Sequence, residues 1–310
     1  MKVAILGATG ATGSSIINAL LESGNFTITA LVRPQSVDRP STKKLEAKGV
    51  NIVSFDVNDP AEESAEKLKG QDIAIAAISI AATRDQIPFA TAAKLAAVKR
   101  FIPTSFGLVV PPKGMVDLRD HKEDVLNHIK KLYLPYTSID IGWWFQFTLP
   151  RLPSGRLDTT YSGVGGPIPG DGNTPSAFTD NRDFGNYVAR IIADPRTLNQ
   201  SVFVYSEMIT LNKLYDLFEK LSGETIPREY EISEEELKAK LAKLGTDVLH
   251  PTDERFFDKI VTQFWYSWGV RGDNTVDYAQ YLGYLLGNEL YPDVKLTSFS
   301  DYIQQLLSSS

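Results

Sequence analysis

The strongest chemical signal in the sequence is a glycine-rich segment near its start. The apolar run Val3-Ala-Ile-Leu6 leads into Gly7-Ala-Thr-Gly10-Ala-Thr-Gly13, so the glycines recur as G-x-x-G-x-x-G. One glycine permits a tight turn, one lets the backbone approach a pyrophosphate, and one lets a helix pack on a strand. The alternative is an ordinary glycine turn. Because the segment follows a strand, precedes a helix and opens a βαβ series, it favours a dinucleotide site.

The end of the second predicted strand bears on which dinucleotide binds. It reads Leu31-Val32-Arg33-Pro34, and an NAD site usually carries Asp or Glu at this place. An arginine accommodates a 2′-phosphate, so Arg33 favours NADP(H) over the alternative of a solvated surface charge, and Lys43 or Lys44 downstream supports this. The predicted cofactor-binding residues in this part of the chain are Gly7, Thr9, Gly10, Ala11, Thr12, Gly13, Arg33, Ser79 and Asp56. An aspartate such as Asp56 is equally typical of a plain turn.

A catalytic tyrosine is not indicated. Many short-chain dehydrogenases use Tyr-x-x-x-Lys on the helix after the fourth strand. Among the 13 tyrosines, only Tyr291 has a lysine at that spacing, Lys295, and this pair lies far along the chain from the nucleotide segment. We therefore expect another residue to handle protons.

The segment after the fifth predicted strand offers that residue. Phe101-Ile-Pro-Thr-Ser-Phe-Gly107 forms a loop, and Asp120-His121-Lys122 then opens a helix. Ligands of open α/β sheets lie beyond the carboxyl ends of the strands, where Lys122 can exchange a proton with a phenol or enol during hydride transfer. Position alone favours the alternative, a solvated helix lysine. Ser105 is a candidate for holding a substrate oxygen, although serine is common in such turns.

Aromatic residues follow the sixth predicted strand. Trp143, Trp144, Phe145 and, weaker, Phe178 are candidates to stack on a planar substrate or on the nicotinamide, and core packing is the equal alternative. His121 and His128 could share a helix face, but two histidines without a carboxylate pattern do not predict a metal site.

The order of elements predicts an α/β fold. Apolar runs at 2–6, 27–32, 51–55, 72–78, 100–103 and 136–141 alternate with helical segments at 11–22, 42–48, 61–69, 85–98 and 118–131. Such alternation is typical of a doubly wound parallel Rossmann sheet. Residues 1–150 are the predicted NADP(H)-binding domain. Residues 151–310 are the predicted smaller, mostly helical substrate domain, interleaved with the first.

Local signals place the elements of the second part. Residues 152–175 are dense in Gly, Pro, Asp, Asn and Ser and predict turns and short strands. A helix is expected after Asp180, one is expected to stop at Gly223, and Ser233 with Glu236 predicts a capping box. Further helical segments are expected at 254–268, 275–286 and 299–307.

Composition limits the possible functions. The 310 residues include no cysteine, which excludes disulfides, thiolate metal sites and cysteine nucleophiles. The formal charge of −6 opposes broad nucleic-acid binding. No apolar run reaches the roughly 20 residues of a membrane span. We expect a cytoplasmic protein without nucleic-acid, membrane or metal partners, and the oligomeric state is open.

Several segments together resemble a known family. The glycine segment, Leu31-Val-Arg-Pro34, Gln86 before an alanine-rich helix, Lys99-Arg-Phe-Ile-Pro-Thr-Ser-Phe-Gly107, Ile168-Pro-Gly-Asp-Gly172 and Arg271-Gly-Asp-Asn-Thr275 look like the NmrA-like group of atypical short-chain dehydrogenases. Within that group the chain is similar to the isoflavone reductase-like proteins, especially their fungal branch. Plant members usually read Pro-Ser-Glu-Phe-Gly at 103–107, and the Trp143-Trp144 pair replaces smaller residues.

The resemblance implies a reductase that depends on NADPH. It implies that Lys122 matches the family's catalytic lysine, that Arg33 and Lys43 hold the 2′-phosphate, and that the region of Trp144 faces the nicotinamide. The predicted function is reduction of an aromatic or phenolic small molecule. The alternative is a dinucleotide redox sensor that, like NmrA itself, binds a protein partner.

Overall fold

A computed structural model of the chain describes residues 1–158, 167–228 and 232–309. Its strands are β1 (Lys2–Leu6), β2 (Thr27–Val32), β3 (Asn51–Ser54), β4 (Ile73–Ala76), β5 (Arg100–Ile102), β6 (Thr137–Asp140), β7 (Trp143–Trp144), β8 (Ser176–Thr179), β9 (Gln200–Phe203), β10 (Glu207–Ile209) and β11 (Leu285–Leu286). Its α-helices are α1 (Ala11–Ser23), α2 (Pro40–Ala47), α3 (Ala61–Leu68), α4 (Gln86–Leu95), α5 (Asp117–Lys131), α6 (Asn181–Ile191), α7 (Leu211–Ser222), α8 (Glu234–Leu244), α9 (Phe256–Phe264), α10 (Val276–Tyr281), α11 (Gly287–Leu290) and α12 (Phe299–Ser308).

The central sheet has five parallel strands in the order β3-β2-β1-β4-β5. Strand β1 lies in the middle and pairs in parallel with β2 and β4. A single parallel bridge between Phe101 and Tyr136 brings the segment before β6 to the free edge of β5. The predicted α/β class with a parallel sheet is confirmed. In this strand order the direction of winding reverses between β1 and β4, which places a ligand crevice at their carboxyl ends.

Burial explains why the strands of the central sheet can be predicted from the sequence. Strand β4 is wholly buried, and β1 is buried from Val3 onward. Strands covered on both faces need apolar residues at every position, so they read as continuous apolar runs. Three phenylalanines pack over one face. The ring centroid of Phe89 lies 5.6 Å from that of Phe55 and 5.3 Å from that of Phe101.

The chain forms two compact units that alternate along the sequence. The first unit comprises Met1–Ser105, His121–Ile139 and Phe184–Val202, and the second comprises Phe106–Asp120, Asp140–Asp183 and Phe203–Ser310. The chain therefore passes between the units at several places. The assignment of substrate binding to the second part stays a prediction.

The second unit contains more β-structure than the sequence predicted. A three-stranded sheet in this unit has the order β10-β8-β7. Strands β8 and β10 pair in antiparallel fashion, with Ala177 opposite Met208. Within the predicted turn region, residues 159–166 lie outside the described residues. The helices of this unit pack over an aromatic core that includes Phe145, Phe178, Phe218 and Phe299.

The predicted helix ends in this unit are confirmed where a local motif defines them. Ser233 and Glu236 form the capping box of α8, and Gly223 ends α7 in the left-handed conformation with φ of 73°. The helix expected over 275–286 is shorter than predicted. It ends at Tyr281 because Gly283 adopts a φ of 83°, and Leu285 and Leu286 continue as strand β11.

No helix among the described residues has the length and hydropathy needed to cross a bilayer.

We predict that Gly185→Ala destabilises the first unit. A Cβ at Gly185 would lie 2.2 Å from the carbonyl oxygen of Ser15, so the two helices must move apart. The expected loss in the free energy of unfolding is about 1–3 kcal/mol, as for other overpacked contacts. Chemical denaturation measures it, with Asn186→Ala on the exposed side of α6 as the control, which should change stability by less than about 0.5 kcal/mol. Equal stability of the two variants would contradict the prediction.

Candidate functional site

The glycine segment forms the turn between β1 and α1, and two of its glycines are required by the protein itself. Gly7 adopts a φ of 87°, and a Cβ there would lie 2.2 Å from the carbonyl oxygen of Ala77 at the end of β4. A Cβ at Gly13 would lie 2.3 Å from the carbonyl oxygen of Gly7. These contacts press α1 against the turn and the turn against β4.

Gly10 is different, because no contact within the described chain requires a glycine there. It has a φ of −74°, which any residue adopts, and the nearest atom to an added Cβ is the Gly7 carbonyl oxygen at 3.4 Å. It is the N-cap of α1, no side chain caps that helix, and its first turn carries no acidic residue. Thr9 and Ala11 beside it are exposed and Thr12 is half-buried. An uncapped helix N-terminus with an open backbone is the cradle that a pyrophosphate needs, so these residues fit the dinucleotide.

The end of β2 carries the charges expected near an adenosine phosphate. Arg33 is exposed and precedes a short 3₁₀ turn. Hydrogen bonds from Asn58 hold the pKa of Asp56 below its ordinary value, and the charges of Lys67 and Arg33 lower it further. Lys43 lies on α2, where its Nζ is 3.3 Å from Glu46 Oε2 and 3.5 Å from Asp38 Oδ1. Lys43 is thus already paired with carboxylates, in contrast to the open position of Arg33.

Lys122 lies in the second turn of α5, and its ammonium faces the carboxyl end of β5. The side chain is half-buried, and Nζ donates a hydrogen bond of 2.5 Å to the carbonyl oxygen of Ser105. Ser105 is 6% exposed, and its Oγ accepts a 2.8 Å hydrogen bond from Ser138 Oγ on β6. The hydroxyl that was a candidate for holding a substrate oxygen is therefore already engaged inside the first unit.

The first unit brings together most of the predicted polar site. The glycine turn, Arg33, Lys43, Asp56, Ser79, Ser105 and Lys122 all belong to it. Ser79 is exposed and lies just beyond β4, where it begins the short 3₁₀ helix Ile80–Asp85. The predicted aromatic residues Trp143, Trp144, Phe145 and Phe178 belong to the second unit.

The aromatic residues of the second unit divide into two groups. Phe145 and Phe178 are fully buried, and the Phe145 ring stacks on Phe299 with centroids 3.6 Å apart. Packing accounts for both residues, which is the core alternative. Trp143 and Trp144 on β7 are only half-buried. The Trp143 ring stacks on Trp268 with centroids 6.4 Å apart and lies edge-on to Phe264 at 5.5 Å, so it packs against the aromatic core while staying partly exposed.

The histidines of α5 and the Tyr291–Lys295 pair were the remaining candidates of the sequence analysis. His128 Nε2 lies 3.0 Å from Thr91 Oγ1, and burial together with the charge of Lys131 lowers the pKa of His128. His121 is buried. Within the described ranges no group of three or more His, Asp or Glu side chains is arranged to hold a metal ion. Tyr291 is buried in the second unit and Lys295 is exposed.

The sequence analysis missed a buried charge network at the start of α5. In the second unit, Arg119 Nη1 lies 2.7 Å from Asp140 Oδ2 on β6, and Arg119 Nη2 donates to the Tyr284 hydroxyl at 2.8 Å. The Tyr284 hydroxyl donates to Asp140, and burial followed by the Asp140 charge raises the pKa of Tyr284, which keeps that phenol protonated. An aspartate at the end of a fully buried strand, β6, is the signal that could have revealed it.

A second buried pair holds the same helix end. Asp117 is the first residue of α5, and its Oδ2 lies 3.0 Å from Nζ of Lys259, which is 3% exposed. Gln263 Nε2 donates to Asp117 Oδ1 at 2.7 Å, while the backbone N–H of Asp117 donates back to Gln263 Oε1 at 2.9 Å. The N-terminal turn of α5 is therefore fixed within the second unit by two charged networks.

With this geometry in hand, the chain can be compared with known proteins. The model of the NmrA-like family matches residues 1–303. The chain is 42% identical over 313 residues to an asnovolin J 5′,6′-dehydrogenase of Aspergillus novofumigatus, covering 99% of this chain and 95% of that protein. It is 30% identical over 322 residues to a phenylcoumaran benzylic ether reductase of Ginkgo biloba, with 99% of each chain covered.

A solved structure also agrees with the fold. The crystal structure of an isoflavone reductase superposes with a TM-score of 0.79 at 27% identity and covers 98% of each chain. The resemblance drawn from the sequence motifs is confirmed by these comparisons.

We predict that Arg119→Met strongly destabilises the protein. Asp140 is fully buried, and its Oδ1 has no hydrogen-bond partner among the described residues, so removing Arg119 leaves a buried carboxylate with little compensation. Breaking a buried pair in this way costs about 3–5 kcal/mol of unfolding free energy. Urea denaturation measures the change.

The matched control is Lys69→Met. Lys69 pairs with Glu66 3.2 Å away at the surface, where both side chains are more than 70% exposed. Exposed pairs contribute about 0–1 kcal/mol, so this variant should unfold near the parent. If Arg119→Met unfolded at the same urea concentration as Lys69→Met, the network would not carry the stability we assign to it.

Proposed function

The chain belongs to the NmrA-like family, and from that premise we propose that it is an NADPH-dependent oxidoreductase that reduces an aromatic or phenolic small molecule. The observation that carries the proposal is the placement of Lys122. Its ammonium is held on the Ser105 carbonyl at the carboxyl end of β5, in the same unit as the glycine turn. Relatives named as phenylcoumaran benzylic ether reductases support the substrate class.

The first unit supplies the residues that would hold the cofactor. The uncapped N-terminus of α1 and the open backbone at Gly10 suit the pyrophosphate, and the exposed Arg33 suits a 2′-phosphate. Lys43 is a second candidate for that phosphate, and Asp56 and Ser79 border the same strand ends. When bound, NADPH supplies the hydride.

Lys122 would manage the proton. As an ammonium it can give a proton to a substrate oxygen that gains charge when an electrophilic carbon, such as that of an enone or quinone methide, is reduced. In the opposite direction the amine can accept a phenolic or enolic proton. Trp143 and Trp144 are the residues of the second unit that we propose for contact with a planar substrate, since each keeps part of its side chain exposed.

Arg33→Ala should weaken NADPH binding much more than NADH binding. The guanidinium would interact with the 2′-phosphate, which NADH lacks, so a loss of roughly tenfold or more in affinity is expected for NADPH alone. Titration with NADPH, NADH, NADP⁺ and NAD⁺, followed by tryptophan fluorescence, measures this. Lys43→Ala should have a smaller effect because its ammonium already pairs with Asp38 and Glu46. An unchanged preference in Arg33→Ala would mean that other residues hold the phosphate.

Lys122→Ala should abolish turnover and leave NADPH binding within about twofold of the parent. Removing a general acid–base group typically costs about 10²- to 10⁴-fold in rate. The absorbance of reduced nicotinamide follows turnover with an isoflavone, a phenylcoumaran and a small enone as probes. Because the fungal relative is named a dehydrogenase, NADP⁺ reduction by the reduced product of each probe is measured as well. Lys131→Ala, an exposed lysine of the same helix, is the control.

Two outcomes would count against the proposal. Parent-like turnover in Lys122→Ala would remove the lysine from the mechanism. Similar affinity for NAD⁺ and NADP⁺, together with weak NADPH binding and no turnover with any probe, would favour the dinucleotide sensor and direct the search to a protein partner.

A further inference from the structure

The anchor of Lys122 is a backbone atom, so its position depends on the turn that carries it. Nζ of Lys122 donates to the carbonyl oxygen of Ser105, and the Ser105 N–H donates back to the Pro103 carbonyl at 2.8 Å. This turn follows the last residue of β5 directly. Whatever fixes residues 103–105 therefore also fixes where the ammonium lies.

Thr104, in the middle of this turn, is bound on both sides. Its hydroxyl donates to the carbonyl oxygen of Ala76 at 2.8 Å and accepts from the N–H of Ile78 at 3.2 Å. Both partners belong to the end of β4. Its own N–H donates to Oε1 of Gln86 at 2.6 Å. The turn is thus tied to the neighbouring strand by a hydroxyl and to α4 by an amide.

Gln86 uses both ends of its amide inside the protein. The side chain is 1% exposed, and while Oε1 accepts from Thr104, Nε2 donates to the carbonyl oxygen of Thr83 at 2.9 Å. This is the only orientation that pairs a donor with a carbonyl and an acceptor with an N–H, so the flip of the amide is determined. Thr83 is itself buried and bonded to the Ile80 carbonyl, which closes the network.

We propose that Gln86 and Thr104 are positioning residues for Lys122, which they hold in place by fixing the backbone turn that presents the Ser105 carbonyl to its ammonium. The inference builds on the role proposed for Lys122 and assigns the two residues no contact with substrate or cofactor. All the atoms involved belong to the first unit.

Loss of the amide should be transmitted to Lys122 through the turn. Without Gln86 the N–H of half-buried Thr104 and the carbonyl of buried Thr83 each lose a hydrogen bond, and the chain relieves this by shifting the turn. The Ser105 carbonyl then moves away from Nζ. The Lys122 side chain then loses its hydrogen bond to Ser105 and becomes more accessible to an acylating reagent.

The first experiment needs neither substrate nor cofactor. Lysines of the folded protein are acetylated with limiting isotope-labelled acetic anhydride, and mass spectrometry gives the reactivity of Lys122 relative to Lys131. Gln86→Met, which keeps length and removes both hydrogen bonds, should raise the relative reactivity of Lys122 by roughly fivefold. Gln71→Met is the matched control. The side chain of Gln71 also donates a partly buried hydrogen bond in the first unit, to Thr29 Oγ1 at 3.2 Å. Parent-like reactivity of Lys122 in folded Gln86→Met would overturn the proposal.

A pair of variants at Thr104 covers the case in which Gln86→Met does not fold. Thr104→Val keeps the shape and removes the hydroxyl that bonds Ala76 and Ile78, whereas Thr104→Ser keeps the hydroxyl. The proposal requires Thr104→Val to raise Lys122 reactivity and Thr104→Ser to stay at the level of the parent. Equal reactivity in the two Thr104 variants would overturn it.

Turnover then separates this inference from the function on which it builds. With any probe that the parent reduces, Gln86→Met should lower kcat by roughly tenfold to a hundredfold, as misplacing a reacting group by about 1 Å does, with KM and NADPH affinity nearly unchanged. If Lys122→Ala were fully active while Gln86→Met still raised Lys122 reactivity, the catalytic role would fail and the positioning would stand. If Lys122→Ala were inactive while Gln86→Met left both measurements unchanged, only the positioning would fail.

Discussion

The contact between the backbone of Gly7 and the carbonyl of Ala77 is the constraint on which the nucleotide-binding half of this molecule depends. These two segments of the chain meet at the carboxyl ends of β1 and β4. The winding of the sheet reverses between these two strands. No side chain fits there, since even a Cβ would lie 2.2 Å from the carbonyl oxygen. With Gly7 fixed, Gly13 can press α1 on the turn, and the helix begins at the place where a phosphate would lie.

The same strand end links the glycine turn to the lysine. Ala76 and Ile78, on either side of Ala77, are bonded to the Thr104 hydroxyl, and the turn that contains Thr104 presents the Ser105 carbonyl to Lys122. A displacement at the end of β4 would therefore reach both parts of the proposed site. The two features that look independent in the sequence, a glycine pattern at 7–13 and a lysine at 122, share one structural support.

The sequence could predict the elements whose signals are local. Strands β1, β2 and β4 appear as apolar runs because both faces are covered, and the ends of α7 and α8 follow from Gly223 and the Ser233 capping box. It could not predict β8 or β10, four and three residues long, because such short strands acquire their partners only in the folded chain. The predicted helix over 275–286 was too long, because the apolar pattern continues past Gly283, where the helix has already ended.

The candidate site divides along the same line. The glycine turn and Arg33 could be singled out because each stands directly at the end of a predicted strand, whereas the role of Lys122 rested on the family resemblance. The roles of Gln86, Thr104 and the Arg119–Asp140 pair could not be predicted, because a single sequence does not record which distant residues meet. Gln86 and Thr104 are 18 residues apart, and Arg119 and Asp140 are 21 residues apart.

Gln86 and Thr104, which we propose to position Lys122, act on main-chain atoms, and this bears on how the protein could change substrate. The Ala76 carbonyl belongs to the buried strand β4, and the turn at residues 103–105 follows the buried strand β5 directly. A lysine held by such groups keeps its position when residues elsewhere are replaced. The residues proposed to contact the substrate, Trp143 and Trp144, belong to a separate unit with its own aromatic core. If the proposed roles hold, substitutions in the second unit would alter substrate choice and leave the proposed proton donor in place, in keeping with a family whose members are named for different substrates.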